Sequence, residues 1–303
     1  RQLIGDRSQT QASFAAEIGL DATKLSKSLS GIRTFSSMDL AVIAEACAVS
    51  VDWLVTGDEP PLAAAARAAG GSAAGEALTL ARHFATIRDD LAALGYPQGW
   101  RLPRAPQLGG LWKDQGAALA EAAAEQLANE GDVVSEALGP LIERAFGVDV
   151  AVQPLGEGLD GMAVATPHLK LILAASQPIP ARQRFTIAHE LGHLLASDDQ
   201  QIHTDRNIYN TERVESEVRA NAFAATLLMP ESVLRSEVGP GFRQEDFCRL
   251  ATRLRVSPLA LAVRLEGLRL IDRGTRDRWG KVSGSEAARL VGLQSLNAQL
   301  AAE

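Results

Sequence analysis

Two histidines four residues apart flank a glutamate in the stretch from Arg184 to Ser197, RFTIAHELGHLLAS. In a helix, residues four apart lie on the same face, so His189 and His193 can offer two imidazoles to one metal ion. Glu190 follows His189 directly and lies beside such a site without being a ligand. In this H-E-x-x-H geometry, zinc polarises a water molecule and the glutamate accepts its proton. The pattern therefore predicts zinc-dependent hydrolysis with Glu190 as general base.

The helix that carries the histidines must be held rigidly for this chemistry. Ile187, Leu191 and Leu194 repeat at i, i+4 and i+7 and would bury its other face. The plainer alternative is two histidines packed in an ordinary core. A third ligand decides between the two interpretations, because catalytic zinc takes three protein ligands and leaves its fourth position to water.

A second amphipathic helix is predicted in the sequence ESEVRANAFAATLLMP, which begins at Glu215 and ends at a helix-breaking proline. Its apolar stripe consists of Ala220, Phe223, Ala224, Leu227 and Leu228. Glu217 and Asn221 are four residues apart, so a carboxylate and an amide face one site. We expect Glu217 to be the third ligand and Asn221 to hold one histidine ring from outside the coordination shell. Glu215 remains an alternative ligand, because the spacing allows either glutamate.

The segments RFTIAHELGHLL and E..AN.FAATLLMP together resemble the ImmA/IrrE family of zinc metallopeptidases. The resemblance implies zinc ligation by His189, His193 and Glu217, and general-base catalysis by Glu190. It also implies a zincin-like fold and cleavage of an Xre-type repressor, which relieves repression of stress or mobile-element genes. The sequence identifies no oxyanion stabiliser clearly. His203 and Tyr209 are candidates, although we favour a surface position for both.

The elements around the two motifs extend the resemblance from about Gly131 to Ile271. A helix over 133–146 precedes two runs with β character, VDVAVQPL and GMAVATPHLKLILAA, which predict a small antiparallel sheet. Residues 250–271 are predicted to form a helix pair around VSP. We favour its packing against the peptidase domain, with a second DNA-binding unit as the alternative.

The N-terminal part has short helical stripes of a different kind. Phe14, Ala15 and Ile18 form one, Gly19 breaks the chain, and Asp21 is a natural N-cap for the next helix. A capping-box sequence, SSMD, then starts a third helix. The order Q..FA...GL....LS....G......L..IA.A..VSVDWL.TG resembles the Xre helix-turn-helix family, with VSVDWLVTGDEP as its most specific part. This resemblance implies operator binding to double-stranded DNA.

A local basic surface in this module would read DNA. Residues 22–38 contain three basic residues and no acidic one, and the recognition helix and its following loop should lie there. The predicted contacts with phosphates or base edges are Gln11, Thr23, Lys24, Ser26, Lys27 and Arg33. The alternative is a helical module used only for dimerisation.

Composition sets the remaining limits. The chain has 303 residues, 46% of them hydrophobic and 22% charged, with a net charge of −7, which argues against a protein coated with nucleic acid. Cys47 and Cys248 lack a paired spacing and are expected to be core residues. No apolar run approaches the roughly 20 residues of a membrane span, so we expect a cytoplasmic protein without membrane contact.

These observations predict a mainly α (α+β) protein in three parts. They are a helix-turn-helix domain at 1–60, a helical connector at 61–130, and a metallopeptidase domain at 131–303 that ends in a helical unit. The predicted function is a DNA-binding regulator with a zinc endopeptidase domain, expected as a homodimer. The alternative is a regulator whose peptidase-like domain senses a ligand or metal and cuts nothing.

Overall fold

The chain folds into two compact units, Arg1–Ala68 and Ala69–Glu303. The computed structural model describes Ile4 and residues 10–47, 54–55, 73–104, 110–166, 169–197, 203–206 and 215–294, with Glu45 and 203–206 described by their backbone alone. The described residues form thirteen helices and four strands. This is the mainly α (α+β) fold class that the sequence predicts.

The first unit is a small helical bundle. It contains α1 (Gln11–Glu17), α2 (Ala22–Leu29) and α3 (Ser37–Cys47). The predicted stripes are its core, whose buried members are Ile4, Phe14, Ala15, Ile18, Leu25 and Ile43. Leu54 packs against this core. The rest of the VSVDWLVTGDEP segment, apart from residue 55, lies outside the described residues.

Side-chain caps fix the ends of these helices, as the sequence predicts. The Asp21 carboxylate accepts the backbone N–H of Lys24 at 2.9 Å and starts α2. Ser36 and Asp39 form the predicted capping box of α3: each side chain accepts the other's backbone N–H, at 3.1 and 2.9 Å. Gly19 has a φ of +65°, which glycine adopts readily after a helix end. The short helices are thus set by local sequence.

The second unit begins with three helices, α4 (Ala73–Ala93), α5 (Trp112–Ala128) and α6 (Leu138–Phe146). α4 and α5 lie in the segment that we predicted to be a connector. However, the buried face of α5 belongs to the main core of the second unit, through Leu119, Ala120, Ala123 and Leu127. Its alanine-rich sequence allows close helix packing as well as helix formation, and composition alone does not separate a spacer from a core helix.

A four-stranded sheet follows, made of β1 (Asp149–Gln153), β2 (Leu159–Ala165), β3 (Lys170–Ala175) and β4 (His203–Arg206), in the order β1-β3-β2-β4. The predicted antiparallel sheet is corrected in one respect, because β1 and β3 are parallel. The run GMAVATPHLKLILAA holds two strands that form a hairpin. The apolar run of β3 is fully buried and takes the centre of the sheet, which brings it alongside β1.

Two helices complete the centre of this unit, α7 (Pro180–Ala196) and α8 (Glu215–Leu228). The apolar stripes predicted for both are buried, and all their members except Ala220 belong to the same core. Proline at the first position suits a helix start, because that residue's N–H has no partner inside the helix. α7 and α8 carry the two sequence motifs, so the fold packs these motifs against each other.

The last helices are α9 (Glu231–Glu237), α10 (Gln244–Arg253), α11 (Pro258–Gly267), α12 (Arg273–Trp279) and α13 (Gly284–Leu290). Most of their buried apolar residues, Cys248 among them, join the main core, and Arg264 of α11 donates a hydrogen bond to Thr226 of α8 at 3.1 Å. This arrangement is the packing that we favoured over a second DNA-binding unit. Among the described helices, none has both the length and the apolar character of a membrane span.

Candidate metal centre

The helix α7 is buried on all sides around the two histidines. His189, Glu190 and His193 are 2%, 1% and 3% exposed. Arg184, one turn earlier on the same helix, donates hydrogen bonds to the backbone carbonyls of Val133 and Glu136 at 2.7 and 3.3 Å. These contacts join α7 to the turn before α6 and restrict its rotation.

The three predicted ligand side chains meet at one point. The Nε2 atoms of His189 and His193 are 3.1 Å apart. Each of these Nε2 atoms lies 3.2 Å from one carboxylate oxygen of Glu217 on α8. Among the His, Cys, Asp and Glu side chains that the structure describes, these three form the group whose ligand atoms lie close enough together to hold one metal ion.

These distances fit a tetrahedral metal ion. Two ligands placed about 2.0 Å from a tetrahedral zinc are separated by roughly 3.3 Å. Burial opposes ionisation of the Glu217 carboxyl, but hydrogen bonds and charge from both histidine rings outweigh it and hold its pKa far below the usual range. The donor set of two imidazoles and one carboxylate is the chemistry of a catalytic zinc site. Glu215, the alternative ligand, is exposed and is not part of this group.

The Glu190 side chain lies under strand β2, beside the ligand group. A Cβ atom added at Gly161 of β2 would lie 3.0 Å from the Glu190 carboxylate and 2.5 Å from the methyl group of Thr186. Glycine at this position therefore lets the strand pass directly over the predicted base. The pairing of β2 with β4 is irregular between Leu159 and Met162, which is where Gly161 lies. We did not single out this residue, although an isolated glycine in a strand indicates close approach or a bulge.

A second glycine brings the two ligand-bearing helices together. A Cβ atom at Gly192 of α7 would lie 3.0 to 3.2 Å from the side chain of Phe223 on α8. Asn221 is half-buried, one turn beyond Glu217 on α8. The role of Asn221 in holding a histidine ring from outside the coordination shell stays a prediction.

The predicted DNA contacts all lie in the first unit. The exposed ones are Gln11 at the start of α1 and Thr23, Lys24, Ser26 and Lys27 on α2. Arg33 differs, because its guanidinium pairs with Asp39 at 2.8 Å and donates to the Ser28 hydroxyl at 3.1 Å. The backbone N–H of Ser36 and the Arg33 guanidinium lower the pKa of Asp39. Arg33 thus supports the turn before α3, a role that we did not predict.

The two candidate oxyanion stabilisers cannot be placed. Tyr209 and the side chain of His203 lie outside the described residues, as does His168. The remaining histidine, His83, is exposed on α4 and contacts Phe84.

Comparison with known proteins places the metal centre in a recognised domain. Residues 143–266 match the model of the peptidase M78 family, the IrrE N-terminal-like domain. The chain is 40% identical over 117 residues to the radiation response metalloprotease IrrE of Deinococcus radiodurans, covering 37% of this chain and 34% of that protein. It is 38% identical over 117 residues to the protein of the same name in Deinococcus deserti, covering 37% and 40%.

The matches extend over less than half of either relative's length. The family match includes all three ligands and Glu190, and it leaves out the first unit together with α4 and α5. Residues 143–266 are therefore similar to a domain of metallopeptidase type.

Proposed function

We propose that this chain is a DNA-binding transcriptional regulator with a zinc-dependent endopeptidase domain, and that it cleaves a repressor-type protein. The observation that carries the proposal is the meeting of His189, His193 and Glu217 beside the buried Glu190. Two neutral imidazoles and one carboxylate suit zinc and leave a coordination position for water.

Zinc held by these three side chains would supply a Lewis acid that lowers the pKa of water and polarises a peptide carbonyl. Glu190 would accept the proton of the attacking water and then donate it to the nitrogen of the leaving peptide. Burial on α7 holds its carboxylate in place, with Gly161 above it. The motif and the packing thus support peptide hydrolysis with Glu190 as general base.

The first unit would bring this activity to DNA. Lys24 and Lys27 are exposed on α2, which Asp21 caps at its N-terminus. Exposed cations on the second helix of a helix-turn-helix suit contact with phosphates of an operator. We propose a cytoplasmic homodimer whose substrate is an Xre-type repressor, in a stress, toxin-antitoxin or mobile-element response.

The test of catalysis uses Glu190→Gln, which keeps the size of the side chain but cannot act as a base. Zinc content should be unchanged, while cleavage falls by about two to four orders of magnitude, the contribution of general-base catalysis. The substrates are a repressor encoded beside this gene and the protein's own first unit. Mass spectrometry identifies the fragments.

The alternative function is a regulator that senses a ligand or metal without proteolysis. It gains support if no fragment depends on Glu190 and if wild type and Glu190→Gln regulate a promoter reporter equally. The buried position of Glu190, which metal binding alone does not require, favours the peptidase.

A further inference from the structure

The helix that carries the third predicted ligand packs against a helix outside the matched domain. Glu217 lies in the first turn of α8, and residues 207–214 before it are not described. Within the described residues, the position of this ligand therefore follows from how α8 packs on its neighbours. These neighbours include α7, through Gly192 and Phe223, α11, through the hydrogen bond of Arg264, and α5.

The contact between α5 and α8 is a close approach of two backbones. A Cβ atom at Gly116 of α5 would lie 2.2 Å from the carbonyl oxygen of Arg219, and 3.0 Å from both the Ala222 Cβ and the Phe223 nitrogen. Glycine inside a helix is less stable than alanine. Here its absent side chain allows α8 to lie directly against α5. No flexible side chain absorbs an added methyl group, because the nearest atom belongs to the α8 backbone.

Two side chains of α5 hold the same turn of α8. The Arg219 guanidinium lies 4.8 Å from the ring centre of Trp112, a cation-π distance, and donates to the Gln115 side chain at 3.3 Å. Arg219 is buried and follows Glu217 by two residues. A displacement at Arg219 is therefore transmitted to Glu217 within half a helical turn.

We propose that α5 positions the third metal ligand, with Gly116 and Trp112 as positioning residues for Glu217. The inference rests on the proposed zinc site and extends it beyond residues 143–266. α8 is held between Gly192 on one side and Gly116 on the other, so its distance from the histidines is set by two glycine contacts. The segment predicted to be a connector is then part of the metal centre.

The size of the expected effect follows from the contact distances. In Gly116→Ala the new Cβ atom would lie 2.2 Å from the Arg219 carbonyl oxygen. An ordinary contact distance between these two atoms requires the α5 and α8 backbones to separate by about 1 Å. Metal–ligand distances tolerate only about 0.2 Å. The backbone shift therefore exceeds the change in metal–ligand distance that a zinc site tolerates, unless Glu217 adopts another side-chain rotamer.

The experiment measures zinc affinity on the full chain. Wild type, Gly116→Ala, Trp112→Leu and Gly156→Ala are stripped of metal and titrated with zinc against a chromophoric chelator. Gly156→Ala is the matched control: its Cβ would lie 2.6 Å from Ala73 at the start of α4, a comparable overlap with no contact to α8. Thermal unfolding of the metal-free forms reports their stability. The visible spectrum of bound Co²⁺ reports the ligand geometry.

Gly116→Ala should raise the zinc Kd about 10- to 100-fold and change the Co²⁺ spectrum. Trp112→Leu should raise the Kd by a smaller factor, because Gln115 still holds Arg219. Gly156→Ala should lower the Tm but keep the zinc Kd within about twofold of wild type. If Gly116→Ala does not fold, the comparison of Trp112→Leu with Gly156→Ala carries the test.

Two results overturn the positioning role. The first is that Trp112→Leu has the zinc Kd and the Co²⁺ spectrum of the wild type, and that Gly116→Ala, where it folds, also has the wild-type zinc Kd. The other is an equal rise of Kd in the α5 variants and in Gly156→Ala. A wild-type protein that binds no zinc would instead contradict the proposed function, so the two failures are distinguishable.

Discussion

The metal centre and the predicted DNA surface differ in how their functional side chains are held. At the metal centre, Glu190 and both histidines are almost fully buried, and packing of α7 and α8 fixes their separation. On the first unit, Lys24 and Lys27 project from the exposed side of a short helix. Burial of polar groups at the first site costs free energy, and the convergence of two imidazoles and a carboxylate on one point indicates a metal ligand set. Exposed lysines have no desolvation cost, because lysine is usually exposed, and they are therefore weaker evidence for a ligand.

The comparison also shows where small residues matter. Gly116, Gly161 and Gly192 each lack a side chain where the backbone lies close to another element: the α8 backbone at Gly116, the Glu190 carboxylate at Gly161 and the Phe223 ring at Gly192. The two described glycines of the first unit, Gly19 and Gly31, have open space around them and positive φ angles, so they serve as helix ends. A metal site thus uses glycine for packing, whereas the small bundle uses it for turns.

The largest effect is expected on removal of the third ligand. Glu217→Gln replaces the ligand carboxylate by an amide, and Glu215→Gln makes the same change on an exposed residue of the same turn. We expect zinc affinity to fall more than about 100-fold in Glu217→Gln, beyond what changes outside the coordination shell cost. Elemental analysis after dialysis against a chelator measures the difference.

Glu215→Gln should keep wild-type zinc content. Zinc loss in Glu215→Gln with retention in Glu217→Gln would exchange the roles of the two glutamates. Equal retention in both would mean that Glu217 is not the third ligand, and the metal centre as described here would be wrong.

How much of the fold and of the metal centre could be predicted from the sequence depended on how far apart in the chain the interacting residues lie. The i, i+4 spacing of His189 and His193 and the caps at Asp21 and Ser36 act within one helical turn, and the structure agrees with them. Glu217 could be predicted only together with an alternative, because both glutamates fall in the first turn of α8. Packing separates them, since Glu217 faces the histidines while Glu215 is exposed.

Long-range features could not be predicted in the same way. β1 and β3 pair in parallel although β2 lies between them in the chain, and no local pattern encodes that order. The role of Gly116 depends on a partner more than a hundred residues away, and the alanine-rich sequence around it predicts only a helix. The assignment of Arg33 to DNA, made from its charge, stays a prediction, whereas the contacts of its guanidinium with Asp39 and Ser28 were not predicted.

A smaller effect is expected on the DNA surface. If Lys24 and Lys27 contact phosphates, the double change to alanine should weaken binding to an operator upstream of the gene. It should also reduce the slope of log K against log salt by about 2, roughly one unit for each lost contact. Mobility shift or fluorescence anisotropy at several salt concentrations gives this slope.

The matched control replaces two exposed lysines of the second unit, Lys113 and Lys281, and makes the same change in net charge. This control should leave the slope unchanged. Equal slopes in both double variants would remove α2 as the contact surface. If the wild type shifts no promoter fragment near its gene, the dimerisation-only interpretation is favoured instead.

The smallest effect concerns the capping box of Ser36 and Asp39, whose carboxylate also pairs with the Arg33 guanidinium. The pKa of Asp39 is lowered in the folded state, first by the Ser36 N–H and then by the Arg33 guanidinium. A carboxyl group whose pKa is lowered in the folded state stabilises the protein at a pH above its unfolded pKa of about 4, and this contribution is lost as the pH falls through the folded pKa.

Asp39→Asn keeps the shape of the side chain but does not ionise. Hydrogen exchange over residues 37–47, compared at matched pH, should be faster in the variant than in wild type at neutral pH and nearly equal below the folded pKa. A difference between the two proteins that stays constant across this range would mean that ionisation of Asp39 does not support α3, and Arg33 would then be available to contact DNA as its charge first suggested.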